Sequence, residues 1–359
     1  MTRTPRFVAI LAAAALFAGS ASAQYVQLAD IDTINGGDGS TLISGTIVGD
    51  DAFALLSAGG GSYRVVKIAD IGGANTVSTL ADATALQTAL GASPSGLGGT
   101  LLASGGDLVL IESSTDSIIT INQTTGAAAS LLDEATIDAL PGVSGSANIN
   151  FGDIDPTTGN AVFYESDTDS VYEVTGVNAV SLIVTDTQLA AVTGDDSPVG
   201  LGIDSSGVLY FGQGTGSVGE NVSFLDLSDN SSGTLFTEAD VLALQTFGTD
   251  IGVSSLAFTV LADDTLVFAN TGAPDNFVSL DTTNPVGPEL VITEAALLAG
   301  PANFDGAIAF TSFDGNIAWV QLSNGGSANA VAGIYAIPEP TSALLLGLAG
   351  LGLAAFRRR

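Results

Sequence analysis

Cysteine and histidine are both missing from the 359 residues. Their absence excludes disulfides, thiolate zinc sites, Ser-His-Asp and Cys-His nucleophile systems, and imidazole general bases. Any metal would have to be held by carboxylates, amides and carbonyls, which selects a hard cation such as calcium. Bases are nearly as scarce. Of seven, Arg3, Arg6, Arg357, Arg358 and Arg359 sit at the two ends, so that between Gln24 and Ile337 only Arg64 and Lys67 oppose 37 acids. Such a body repels nucleic acid and anionic membrane surface and attracts cations. Charged residues amount to 13% against 46% hydrophobic, enough apolar material for an extended core.

What is present is a repeat. The stretch Phe236-Thr237-Glu238-Ala239-Asp240-Val241-Leu242 has counterparts along the chain, and the marker acids Asp30, Asp82, Glu134, Asp186, Glu238 and Glu294 follow one another at intervals of 52, 52, 52, 52 and 56 residues. Each copy reads as an apolar residue closing a strand, a small polar residue and an acid, then a short helix. A carboxylate in the first turn opposes the positive helix end and contributes about 0.3–1 kcal/mol. Thr237 with Asp240, and Thr185 with Gln188, resemble capping boxes. These acids are scaffold.

Each period holds four short apolar or alternating runs separated by turn residues, the pattern of a four-stranded antiparallel unit. In the third unit the runs are Asn148–Ile154, Ala161–Glu165, Ser170–Thr175 and Asn178–Val184. Six such units arranged radially form an all-β, six-bladed β-propeller. The last unit lacks a fourth strand, with runs near Ala307–Phe310, Ile317–Gln321 and Val331–Ala336, while Tyr25–Leu28 is a fourth strand with no unit before it. Pairing of these two would close the ring and remove its open edge.

The ends carry an address. Residues 1–23 read as a signal peptide: Arg3 and Arg6, an apolar run Phe7–Ala18, and a cleavage site with Ala21 and Ala23. The propeller occupies 24–337. Residues 338–359 then join Pro338-Glu339-Pro340, a 16-residue apolar stretch Thr341–Phe356 that forms a transmembrane helix, and the terminal Arg357, Arg358 and Arg359. The arginines stay cytoplasmic, leaving the body outside. Motif, apolar helix and arginine cluster together resemble the PEP-CTERM sorting signal of Gram-negative bacteria. The resemblance implies recognition and cleavage by an exosortase, membrane attachment through the helix before processing, and delivery to the cell surface, outer envelope or matrix in organisms that make extracellular polysaccharide.

Candidate chemistry lies in the loops. The second-to-third strand loops of units two and three are near copies, Glu112-Ser-Ser-Thr-Asp116-Ser and Glu165-Ser-Asp167-Thr-Asp169-Ser. Glu112, Asp116, Glu165, Asp167 and Asp169 on one rim form a candidate calcium site; solvated turn acids are the plainer alternative. Trp319 and Tyr210, in second strands, are expected in the core. Two functions follow. One is a non-catalytic surface protein binding cations, polysaccharide or a protein partner. The other is a calcium-dependent propeller hydrolase or lactonase-like enzyme, which would need Asn150, Asp153, Asp204 and Asp305 to converge on the channel axis.

Overall fold

A computed structural model of the chain describes residues 25–337 apart from 59–61, 95–97, 145–146, 195–197, 214–220, 245–252, 271–275, 284, 286, 300–306 and 322–332. The predicted signal peptide with Ala21 and Ala23, the sorting motif with its helix and arginines, and Asp305 lie outside the described residues. Among the described residues no helix is long and apolar enough to cross a membrane.

Six separate four-stranded antiparallel sheets make up the body. Blade one is β2 (Thr41–Val48), β3 (Asp51–Ser57), β4 (Tyr63–Ala69) and β5 (Thr76–Ala81). Blade two is β6 (Gly99–Ser104), β7 (Asp107–Glu112), β8 (Ser117–Asn122) and β9 (Ala128–Leu132). Blade three is β10 (Ile149–Ile154), β11 (Ala161–Glu165), β12 (Ser170–Gly176) and β13 (Ala179–Val184). Blade four is β14 (Pro198–Ile203), β15 (Val208–Gln213), β16 (Val222–Asp226) and β17 (Ser232–Phe236). Blade five is β18 (Val253–Val260), β19 (Thr265–Asn270), β20 (Asn276–Asp281) and β21 (Glu289–Ile292). Blade six has β22 (Ala307–Phe313), β23 (Asn316–Gln321) and β24 (Gly333–Ala336), and its fourth strand is β1 (Val26–Asp30).

The ring is closed as the sequence predicts. β1 runs antiparallel to β24, with Val26 opposite Ala336 and Asp30 opposite Gly333. Tyr25 packs edge-on to Trp319 and Tyr335 at 5.4 and 5.5 Å between centroids, and its hydroxyl donates to the Leu297 carbonyl at 2.7 Å. Such ring pairs add to the area they bury. Trp319 is fully buried, as its second-strand position predicts.

Burial explains the strand patterns. Second strands are sandwiched between neighbouring blades and read as unbroken apolar runs; every residue of β11 is buried. Outer strands meet a neighbour on one side and water on the other, so β5 and β13 are exposed or half-buried except at their last residue. The apolar side chains divide into six clusters, each shared by adjacent blades. One joins blade six to blade one through Val320, Ile334, Ala52 and Ala54.

After each outer strand comes a short helix: α1 (Ile31–Asn35), α2 (Ala83–Leu90), α3 (Glu134–Asp138), α4 (Asp186–Thr193), α5 (Glu238–Leu244) and α6 (Glu294–Ala299). The repeated acid does not keep one position in them. Asp30 and Asp82 are the N-caps themselves, accepting from Thr33 N at 2.6 Å and Ala85 N at 2.9 Å. In the other four helices the acid is the first helical residue, and the residue before it lies at the cap: Asp133 and Thr185 accept helical N–H groups, and Thr293 accepts from Ala296 N at 3.2 Å. Thr185 and Gln188 form a full capping box. Thr237 N and Oγ1 both donate to Asp240, whose carboxyl is thereby held below its usual range.

Candidate functional site at the channel mouth

The inner strands β2, β6, β10, β14, β18 and β22 surround the axis, and two of them approach closely because one lacks side chains. A methyl on Gly200 would stand 2.6 Å from Phe258 Cβ, and one on Gly202 would stand 2.9 Å from the Val260 nitrogen. Midway along the axis Leu101, Phe151, Leu201, Phe258 and Phe310 leave only a small void of about 40 Å³. Beyond this constriction, at the end carrying the first-to-second strand turns, the channel widens into a partly open cavity of about 360 Å³. All six blades line it. Its walls mix apolar side chains with the hydroxyls of Thr46, Ser104, Ser205, Thr259, Thr311 and Ser312 and the carboxylates of Asp153 and Asp264, and carry no base.

Asp153 is the residue that matters here. It stands near the end of β10, 7% exposed, and it touches two other blades. Its carboxylate accepts from Ile154 N at 2.8 Å and from Ile203 N of β14 at 3.3 Å, and the Thr259 hydroxyl of β18 lies in hydrogen-bonding reach. Burial pushes its pKa up to about 7 against the partial relief of those three donors. Other polar contacts bind the inner strands together: Leu101 N donates to Ser44 Oγ at 3.0 Å, Ile47 N to Thr311 Oγ1 at 3.3 Å, and Ser104 Oγ to the Gly159 carbonyl at 2.7 Å. Ser205 N and Oγ both donate to Asp264, each at 2.7 Å.

Of the other axial candidates, the two that are described, Asn150 and Asp204, do not join Asp153. Asn150 is exposed. Asp204 closes its own turn, accepting from Ser206 N, Val208 N and the Tyr210 hydroxyl at 2.9, 3.0 and 2.8 Å. Tyr210 is buried as expected.

At the opposite end of the ring lie the second-to-third strand loops. Glu112 and Glu165 are both fully buried. Glu112 accepts from Ser114 Oγ and Thr115 N, each at 2.7 Å. Glu165 accepts from Asp167 N and Thr168 N at 2.9 Å, Thr168 Oγ1 at 2.8 Å and Asn148 N at 3.1 Å. Asp116 accepts from Ile149 N of the next blade at 2.9 Å, and burial raises its pKa to about 6. Asp169 accepts from the Tyr164 hydroxyl at 2.5 Å. Asp116 and Asp169 take left-handed backbone angles, φ 43° and 45°, which fit the tight turn. Asp167 is exposed. The glutamates thus face backbone donors of their own loops, and among the described residues no three carboxylates come close enough to hold a metal ion.

A second periodic feature escapes a reading centred on the acids. Asn75, Gly126, Asn178 and Asn230 occupy the third-to-fourth strand turns at positive φ, 51, 52 and 52 residues apart. Asn178, expected in the fourth strand, lies in the turn instead. There its N–H donates to the Leu131 carbonyl at 2.8 Å, its Oδ1 accepts from Asp133 N at 3.1 Å, and its Nδ2 donates to Asp133 Oδ2 at 2.9 Å. Asn75 Nδ2 likewise reaches the Leu28 carbonyl at 2.8 Å, and Asn230 accepts from Gln188 Nε2 at 3.3 Å. These residues fasten blades together at the outer edge.

Comparison with known proteins bears on the two parts of the chain separately. No curated protein sequence matches it. A puromycin-hydrolysing peptidase of Mycobacterium tuberculosis superposes with a TM-score of 0.50 at 10% identity, over 82% of this chain and 52% of that one, so the chain spans about half its length. A streptogramin B lyase aligns over 88% of this chain and 99% of its own at 12% identity and TM-score 0.48. Regucalcin from Agrobacterium tumefaciens, a calcium-binding protein, aligns over 84% and 95% at 13% identity and TM-score 0.46. At such identities the likeness is one of fold. The tail is matched more specifically: residues 336–359 fit the PEP-CTERM protein-sorting motif, the signal on which exosortase-type sorting acts. The chain is therefore a six-bladed β-propeller bearing a PEP-CTERM sorting motif, which implies export and surface sorting in a Gram-negative bacterium.

Proposed function

We propose that this chain is an exported, non-catalytic propeller, delivered to the outer surface by exosortase handling of its tail, whose body binds a small ligand in the channel mouth. The observation that carries the reading is the sorting motif at 336–359, which begins on the last residue of β24. The tail thus leaves directly from the blade that closes the ring, so the body delivered is the whole propeller. Support for binding over catalysis comes from the chemistry available: neither His nor Cys exists in the chain, and among the described residues no three acids gather to hold a metal for hydrolysis. A partly open cavity with hydroxyls and carboxylates above an apolar floor is the form of a small-molecule site.

Expression in a host with and without an exosortase tests the delivery. Mass spectrometry of the surface fraction should show a protein lacking its terminal apolar segment only when the enzyme is present. Replacing Pro338, Glu339 and Pro340 by alanine should leave the tail intact. An unprocessed chain in the presence of a competent exosortase would overturn the reading.

A further inference from the structure

The mouth cavity has a chemical bias that identifies the kind of ligand, granted the reading of the mouth as a binding site. An anion meets no base on the walls. The body's two bases both sit on β4, where Arg64 pairs with Asp38 and Lys67 with Asp51. A hard divalent ion prefers six to eight oxygens with several carboxylates, and no three carboxylates gather among the described residues. A neutral sugar would find only Phe310 to stack on, and that ring is 8% exposed.

An organic cation meets none of these obstacles. Asp153 accepts from two backbone donors, with the Thr259 hydroxyl alongside, where an ionised carboxylate has about four acceptor positions, so a direction remains for a donor from the cavity. The charged groups on the surrounding turns are all acids: Asp50 after β2, Asp155 after β10, Asp204 after β14, Asp263 and Asp264 after β18, and Asp314 after β22. No cation among the lining residues competes. The net charge of the body, two bases against 37 acids, draws cations toward a low-dielectric cleft. Ile154, Ile203 and Val260 beside the carboxylate supply an apolar wall.

We propose that the channel mouth is a receptor for a small organic ammonium ion, its charged head on Asp153 and its apolar body against Ile154, Ile203 and Val260. Binding draws on the ionised form of Asp153, whose pKa of about 7 leaves it mostly neutral at pH 5.5, so affinity rises with pH.

Methyl NMR on the full chain in lipid nanodiscs, observing the threonine methyls of Thr46, Thr259 and Thr311, tests this with three near-isosteric probes: benzylammonium, benzyl alcohol and benzoate. Benzylammonium should shift those methyls, benzyl alcohol much more weakly and benzoate not at all. Its affinity should rise about tenfold or more from pH 5.5 to 8, while the probe itself stays charged. Asp153→Asn, which keeps the shape, should lose at least about tenfold at pH 8. Benzyl alcohol binding as tightly as benzylammonium, or an affinity independent of pH and of Asp153→Asn, would overturn the cation assignment and leave the mouth as a site. Absence of any mouth response at pH 8 would remove both. Should Asp153→Asn fail to fold, the wild-type pH series alone decides.

Discussion

Two buried carboxylates, Glu165 at one end of the ring and Asp153 at the other, began with the same sequence credentials: an acid beside a turn, among apolar neighbours. Glu165 is surrounded by four donors, three of them from Asp167 and Thr168 of its own loop. It substitutes for a ladder partner where the strand ends and fixes the loop, a local job that its own sequence dictates. Asp153 takes one donor from its own strand and finds the others on two different blades. Its environment is set by ring closure, and a cavity adjoins it. A carboxylate saturated locally is architecture; one only partly satisfied, by long-range partners beside a cavity, retains capacity for a ligand.

The largest way to break this contrast is to empty position 165. Glu165→Ala removes the acceptor of three partly buried backbone N–H groups, those of Asn148, Asp167 and Thr168, and should cost about 3 kcal/mol, seen as a lower urea midpoint, since donors left unpaired away from water are expensive. Glu112→Ala, with fewer donors to strand, should cost less. If Glu165→Ala melts like the wild type, the loop does not depend on its glutamate and the two acids are not different in kind.

Asp153 should behave in the opposite sense, and pH shows it. An acid whose folded pKa lies above its unfolded value, here about 7 against about 4, favours the fold at low pH, and that contribution is lost as pH rises through this window. Asparagine never ionises. Relative to wild type, Asp153→Asn should therefore gain stability between pH 4.5 and 8, by up to about 3 kcal/mol, and be the more stable protein at pH 8. Asp116, raised to about 6, adds a smaller trend of the same direction over a narrower window. A stability difference between Asp153→Asn and wild type that stays constant with pH would show that the carboxylate is not shifted by burial.

How much of this was legible beforehand follows from the same distinction between local and long-range. The blades, their number and the closure by Tyr25–Leu28 were readable because each rests on a local pattern repeated six times, and the missing fourth strand of the last unit had to be supplied from somewhere. Trp319 and Tyr210 were readable as core from strand position. Asp153 was only one of several turn acids. Its one local sign is parity: past the bulge that follows Ile149, Phe151 and Asp153 fall on the same side of β10, so the acid occupies a place where an apolar residue belongs. The asparagine latches had a stronger signal, a 52-residue recurrence at glycine-compatible positions, hidden because the acid offered an equally regular ruler. The marker acid itself shifts by one position between helices: Asp30 and Asp82 serve as N-caps, whereas Glu134, Asp186, Glu238 and Glu294 follow another residue at the cap.

A finer comparison sets Asp153 against Asn178, both of which join blades, one beside the axis and one at the outer edge. Asn178 holds φ 50° and makes three hydrogen bonds to blade two. Asn178→Gly tolerates the backbone angle but loses the side-chain bonds, and should cost about 1 kcal/mol; Asn178→Ala adds left-handed strain and should cost about 1 kcal/mol more. Neither should alter benzylammonium binding at the mouth. Equal costs for the two variants would mean that the angle carries no strain and the latch acts through the side chain alone.

The smallest expected effect concerns calcium, and it separates a site from a field. With 37 acids and two bases, the body is stabilised by any cation that screens its self-repulsion, so calcium must raise the melting temperature to some degree. A rim site built by Glu112, Asp116, Glu165, Asp167 and Asp169 would make calcium distinct from magnesium, because only the larger ion accepts the flexible, carboxylate-rich coordination that such loops could offer. With those glutamates turned to their own backbone donors, the rise should match that of magnesium at equal ionic strength within about 1 °C, and Glu165→Gln should show the same increment as wild type. A calcium-specific rise that Glu165→Gln abolishes would mean the loop opens to take the ion, and the rim, not the mouth, would be where this propeller meets its cation.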